Sequence, residues 1–417
     1  MKRYTTAYVQ KRKDTGAFRG FVDYYDDDGK RHKKSKTLKA KSKKAAEREV
    51  EDWLRELEQQ ELESDDLPEV VRAANTFVPD YVESFIDIWE KSKSIEPSTV
   101  KNYRSTAKYI RNGYPKNGVN GFAKVKVKDL KKKQVEEWSA NLTASGLGYS
   151  VVKRALGLLK QVMTQAVYNE VLLRNPCDGI KPPKKTKEKE GINALTAKGY
   201  RDTLTLLAAL SQTPVTVGSR IALFTGMREG EICALKWKDV DLDNKVLWVR
   251  GAIGRGEGGT YEKVPKNNKM RDVPIPDSLV AILKEWLKAQ QAEFRELGQT
   301  VGASDYVIGD VQGYFSPDSL SKGWKAIAGT IGIKGTEGRL PSFHDLRHTW
   351  ATRYLAAGGD VKTAASVLGH ANAAMTLNVY ASADPTAKRL SAVMMDKAGG
   401  QHSSSNNILE LLTGTEG

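Results

Sequence analysis

Near its middle the chain reads RNPCDGIKPPKKTKEKEG, residues 174–191, and no core can run through such a stretch. Two adjacent prolines withhold backbone donors, and the alternating lysines and glutamates after them present no apolar face in helical or strand period. The segment separates modules, with an interdomain linker over 181–191. At 417 residues the chain exceeds one ordinary core, so the parts on either side must each bury their own.

The front of the chain reads as a small sheet. Strand patterns run over 5–12, 18–25 and 31–39, with a turn at Asp26-Asp27-Asp28-Gly29. From about Ser42 the period changes, and Ala46, Val50, Trp53, Leu54 and Leu57 recur at helical spacing, enough to cover one sheet face. Residues 1–66 therefore form three strands plus a helix. Residues 1–44 carry fifteen Lys/Arg against five Asp/Glu, most of the formal net charge of +15. A field of that sign selects a polyanionic partner.

After the acidic segment 61–69, helical patterns follow at 77–91, 98–110, 127–141 and 150–171, with Ser98 and Ser150 as N-caps. They make 70–180 a basic helical bundle. Lys101, Arg104, Lys153 and Arg154 are its candidate nucleic-acid contacts, against the plainer reading of a solvated face. Residues 192–395 mix helices with strands at 246–253, 261–265 and 271–276, and GRGEGG at 254–259 reads as a flexible hairpin loop. A GGQHSSSNN tether and the short apolar ILELL at 408–412 close the chain, a tail over 396–417 suited to a neighbouring subunit.

No apolar run approaches the roughly 20 residues of a membrane span, and the basic N-terminus is no signal peptide. A soluble cytoplasmic protein with no membrane partner is expected. Cys177 and Cys233 are the only cysteines, too few and too far apart for a disulfide framework or a zinc site.

Three segments carry chemistry. In LFTGMREGEICALKW, Gly226 ends one helix and Arg228 precedes the next, with Glu231 three residues on. In FHDLRHTWAT, His344 and Arg347 share a helical face and converge on one oxygen-rich group, whereas His348 is assigned a structural role on another side. In VLGHANAAMTLNVYA, His370 follows a glycine-terminated helix and Tyr380 comes ten residues later. Arginine forks suit the non-bridging oxygens of a phosphodiester as charge grows there.

TGMREGE, HDLRHTWAT and LGHANAAMTLNVY, in this order and spacing, resemble the catalytic boxes of the tyrosine recombinases, the phage-type and mobile-element integrases. The resemblance implies a multidomain fold, mainly α with small β-sheets (α+β). Its parts are an arm-type DNA-binding domain (1–66), a core-binding helical domain (70–180) and a mixed α/β catalytic domain (192–395). It makes Arg228 and Arg347 the phosphate clamp, with His344 and His370 as phosphate-contacting or proton-handling groups. Tyr380 becomes the nucleophile and Glu231 the brace of Arg228. The family's general-acid lysine falls on Lys266 in YEKVPKNNKMRDVPIP, with Lys263 and Lys269 as rivals.

The implied reaction is site-specific recombination through a covalent 3′-phosphotyrosine, without metal or cofactor. The implied partners are double-stranded DNA at core and arm-type sites, three further copies in a homo-tetramer, and accessory DNA-bending or excision proteins. A type IB topoisomerase-like enzyme and a non-catalytic DNA-binding regulator are the alternative readings.

Overall fold

The computed structural model describes residues 3–12, 16–26, 29–62, 68–182, 191–264 and 270–370. Tyr380, Lys266, Lys269, residues 183–190 of the linker and the tail 396–417 lie outside them. The chain divides into two compact units, 1–187 and 188–417.

The first unit opens with antiparallel strands β1 (Arg3–Lys11), β2 (Phe18–Tyr25) and β3 (Arg31–Thr37), ordered β1-β2-β3. Alternation sends Phe18 and Val22 to one face, where α1 (Lys43–Leu62) covers them with Ala46, Val50 and Leu57. The opposite face keeps its aromatics under cations. Tyr8 and Phe21 stack with centroids 5.2 Å apart, and Lys33 Nζ lies 5.4 Å and 5.5 Å from the two rings. Arg31 Nη2 donates to the buried carboxylate of Asp23 at 2.6 Å.

Helices α2 (Glu69–Asn75), α3 (Val78–Lys91), α4 (Pro97–Asn112), α5 (Lys132–Ala144) and α6 (Tyr149–Tyr168) follow. Val82, Ile86, Ile110, Leu142, Leu159 and Met163 form their common core. Neither expected serine cap is realised. Glu96 is extended and Pro97 takes the first helical position, where its fixed φ and missing N–H cost nothing, so α4 starts before Ser98. Gly148 is the N-cap of α6, which leaves Ser150 inside the helix. The helix expected from 127 begins instead with a 3₁₀ turn, Val127–Asp129, and an extended Leu130 that buries its side chain before α5 starts.

The second unit contains α7 (Ala197–Ala209), α8 (Pro214–Thr225), α9 (Glu229–Cys233), β4 (Val240–Asp241), β5 (Val246–Val249), β6 (Ala252–Gly256), β7 (Gly259–Lys263) and β8 (Arg271–Pro274). After them come α10 (Asp277–Glu296), β9 (Gly309–Asp310), β10 (Gly313–Tyr314), α11 (Pro317–Ile331), α12 (Phe343–Ala356) and α13 (Val361–Leu368). The apolar α8 is the central helix, with α7, α9, α10, α11 and α12 packed around it. Ile221, Leu223, Leu247, Val273, Trp324 and Leu346 share that core.

The strand expected over 246–253 is two strands. β5 pairs with β4 and β8, whereas β6 pairs only with β7, and the chain breaks at Arg250-Gly251 between them. Most of GRGEGG belongs to that second hairpin rather than to a loop, with Gly256 opposite Gly259 across a two-residue turn. Cys177 and Cys233 are fully buried, and burial pushes both thiols up, Cys177 to about 12.

Candidate active site

Helix ends build the site. At the end of α8 Gly226 turns left-handed (φ 64°), and a Cβ there would lie 2.6 Å from Leu368 Cδ2 and 3.0 Å from Trp350 Cε3. Only glycine suits both constraints. The turn frees the Gly226 carbonyl to accept from Arg347 Nη1 at 2.7 Å, and Arg347 Nη2 donates to Leu368 O at 2.7 Å. Arg347, 3 % exposed, is thus held by two backbone carbonyls from two different helix ends.

Arg228 is the N-cap of α9. Its backbone N–H donates to Glu231 Oε2 at 2.9 Å and its Nη1 to Glu231 Oε1 at 2.9 Å, while Nη2 reaches Gly369 O at 3.3 Å. A surface ion pair between these residues would be worth under about 1 kcal/mol, but the Glu231 side chain is only 2 % exposed. The carboxylate is buried while Arg228 stays partly exposed, and the pair has a third member. Arg271, the first residue of β8, donates from Nη1 and Nη2 to the two Glu231 oxygens at 3.0 and 2.7 Å.

The histidines stand beside these arginines. Ser342 and Asp345 cap α12 reciprocally, which sets His344 and Arg347 near its first turn. His370 follows Gly369, the left-handed C-cap of α13, and its N–H closes on Ala365 O at 2.9 Å. His348 is not on another side of α12 from His344. An offset of about 40° past one turn leaves i and i+4 on one stripe, and the two rings meet edge to face with centroids 4.7 Å apart.

The electrostatics have one sign. Burial pushes the Glu231 carboxyl up, but hydrogen bonds and charge from Arg271 and Arg228 overrule it and hold it below the usual range. Desolvation, then Arg228, lowers Arg347 to about 9, still protonated at neutral pH. Desolvation, then Arg347 and Arg228, lowers His370 to about 4, and the same first two causes lower His344. Arg228 and Arg271 share one carboxylate, Arg347 lies within its field, and the imidazoles stay neutral there. An oxyanion brought here meets fixed donors and uncompensated positive charge.

The structure therefore brings together Arg228, Glu231, His344, Arg347 and His370. Lys263 ends β7 with its Nζ 5.9 Å from the Tyr261 ring. In the bundle, Lys101, Lys153 and Arg154 are exposed, whereas Arg104 donates to Asp87 at 2.7 Å and Glu90 at 2.6 Å. The sequence reading missed Arg271. Its one signal was a basic residue opening a strand, which no spacing rule ties to Glu231.

Among known proteins, the family model described as "Phage integrase family" matches residues 200–386. That span holds every residue of the cluster. The chain carries a phage integrase family domain over residues 200–386, and its relatives include tyrosine recombinases and integrases. It is a member of an enzyme class that cleaves and rejoins DNA.

A "Tyrosine recombinase XerC-like" protein of Caldanaerobacter subterraneus subsp. tengcongensis is 28 % identical over 71 % of this chain and 76 % of its own. The "ICEBs1 integrase" of Bacillus subtilis is 26 % identical over 73 % of this chain and 80 % of its own. Among solved structures, the Tn1549 transposon integrase in complex with transposon right end DNA matches with a TM-score of 0.61. It is 20 % identical and covers 78 % of this chain and 100 % of its own. A lambda integrase tetramer bound to a Holliday junction matches at 0.52, 19 % identical, over 87 % of this chain and 95 % of its own. These likenesses place the integrase fold across both units. Among the described residues, no helix is long and apolar enough to cross a membrane.

Proposed function

We propose that this integrase excises or integrates a mobile element by site-specific strand exchange, with Tyr380 as nucleophile. The observation that carries the reading is the cationic cluster: Arg228 and Arg347 held by buried partners, with His344 and His370 beside them.

The Tyr380 oxygen attacks the scissile phosphorus, a 3′-phosphotyrosyl bond forms, and the 5′-oxygen leaves with a proton from Lys266, with Lys263 and Lys269 as alternative donors. Arg228 and Arg347 take the non-bridging oxygens, whose charge rises in the transition state, and each such donor is worth about 10²–10³ in rate. A tyrosine pKa near 10 calls for that positive field if the phenolate is to form during attack. Neutral His370 takes the phenolic proton, and His344 donates to phosphate. Because the phosphotyrosine keeps the energy of the broken bond, a new 5′-hydroxyl reverses the step without ATP.

The bundle (70–180) grips the core site through Lys101, Lys153 and Arg154, while Arg104, engaged by Asp87 and Glu90, orders that surface. The sheet (1–66) reads an arm-type site in a major groove wide enough for a β-ribbon. Four copies act on two duplexes with the bacterial nucleoid, assisted by DNA-bending or excision proteins. The tail 396–417 links neighbouring copies.

The test is a nicked duplex carrying the core site, recovered by selection from random DNA. Wild type should give a protein–DNA adduct that survives denaturation, and Tyr380→Phe should give none. No adduct on selected DNA sinks the enzymatic reading and leaves a DNA-binding regulator. Relaxation of supercoils without strand-exchange products would favour the topoisomerase-like alternative.

A further inference from the structure

We propose that Arg271 is a positioning residue that locks Arg228 and the His370 turn into one frame and so sets the phosphate clamp without touching phosphate. The inference rests on the recombinase reading above.

Every nitrogen of the Arg271 guanidinium is engaged within the protein. Nη1 and Nη2 form a two-pronged contact with Glu231, and Nε donates to Val367 O at 2.6 Å. The side chain is 9 % exposed, so a bound DNA backbone would meet its neighbours first. Each Glu231 oxygen serves two donors. Oε1 takes Nη1 of Arg228 and of Arg271, and Oε2 takes the Arg228 backbone N–H and Arg271 Nη2. With its plane fixed by one arginine, the carboxylate presents a fixed acceptor to the other, which is how the constraint reaches Arg228.

The other edge of Arg271 grips the residues before His370. Gly369 lies flat on the guanidinium: a Cβ there would stand 3.0 Å from Arg271 Nη1 and 3.2 Å from Cζ, at φ +64°. The same Gly369 accepts Arg228 Nη2 on its carbonyl, so the contacts close a ring: Arg271 to Glu231, Glu231 to Arg228, Arg228 to Gly369, and Gly369 back to Arg271. Arg271 also opens the strand that follows Lys266 and Lys269 in sequence, and it pairs with Val249 in the sheet. One side chain therefore ties together the clamp and the His370 turn.

The experiment uses the full chain, the nicked core-site duplex and single-turnover adduct formation, with circular dichroism, melting and DNA affinity measured alongside. Arg271→Gln should fold and bind DNA but form adduct about 10²-fold more slowly, the cost of a misplaced transition-state donor. Added to Arg228→Ala, it should slow the reaction by less than about 3-fold, because residues acting through one another are non-additive. Arg271→Lys should rescue little, since a single ammonium cannot span both Glu231 oxygens and Val367 O. Full multiplication of the two defects, wild-type rates in the Lys or Gln variant, or loss of folding in both would each overturn the inference. Absence of adduct with wild type would instead count against the recombinase reading on which it rests.

Discussion

Replacing Glu231 with Gln tests the physics of the site most directly. The carboxylate is 2 % exposed and accepts from four donors on two arginines, and its charge also favours the protonated form of Arg347. An amide keeps the shape, removes the charge, and turns one acceptor into a donor aimed at donors. Breaking a buried ionic arrangement from one side costs about 3–5 kcal/mol, a large part of the roughly 5–15 kcal/mol by which domains are stable. At about 2–4 °C per kcal/mol for a unit of this size, the transition of the second unit should fall by about 10 °C.

The pH dependence gives the sign. The folded carboxyl lies below its ordinary 4.5, so its contribution is complete above 4.5 and is lost as pH falls from there through the folded value. The melting gap between wild type and Glu231→Gln should therefore be full at neutral pH and close in acid. Calorimetry of both chains at a series of pH values measures it. A gap below about 3 °C at neutral pH, the shift expected from about 1 kcal/mol, or one that stays constant into acid, refutes the reasoning.

Other outcomes follow from the same geometry. In the DNA-free chain the His370 imidazole should titrate near 4 and move upward when core-site DNA places phosphate between it and the arginines, as followed by NMR of labelled histidine; titration near 6.5 in free protein contradicts the field described here. Deleting residues 1–66 should flatten the salt dependence of arm-site binding by removing phosphate contacts, with core-site adduct formation retained; an unchanged slope removes the sheet from DNA recognition.

The three motifs were legible because each rests on a local device: glycine after α8 and after α13, and three-residue helical spacing at His344 and Arg347. Arg271 was not legible, since it meets Glu231 forty residues away through tertiary packing that no periodicity encodes. The caps failed for a nearer reason. Pro97 and Gly148 outcompeted serines one and two residues on, because a preset or unrestricted backbone starts a helix as well as a side-chain acceptor does. The strand over 246–253 read as one because nothing in its composition says that its two halves have different partners.

The two cysteines have a practical consequence. Each lies in the core of a different unit, 0 % exposed, and burial keeps the thiol protonated at neutral pH, where only the thiolate reacts. The folded chain is therefore chemically silent towards maleimides without removal of either residue. A single cysteine introduced on each unit's surface becomes an addressable point for a fluorophore pair, and the distance between units can be followed as DNA is engaged.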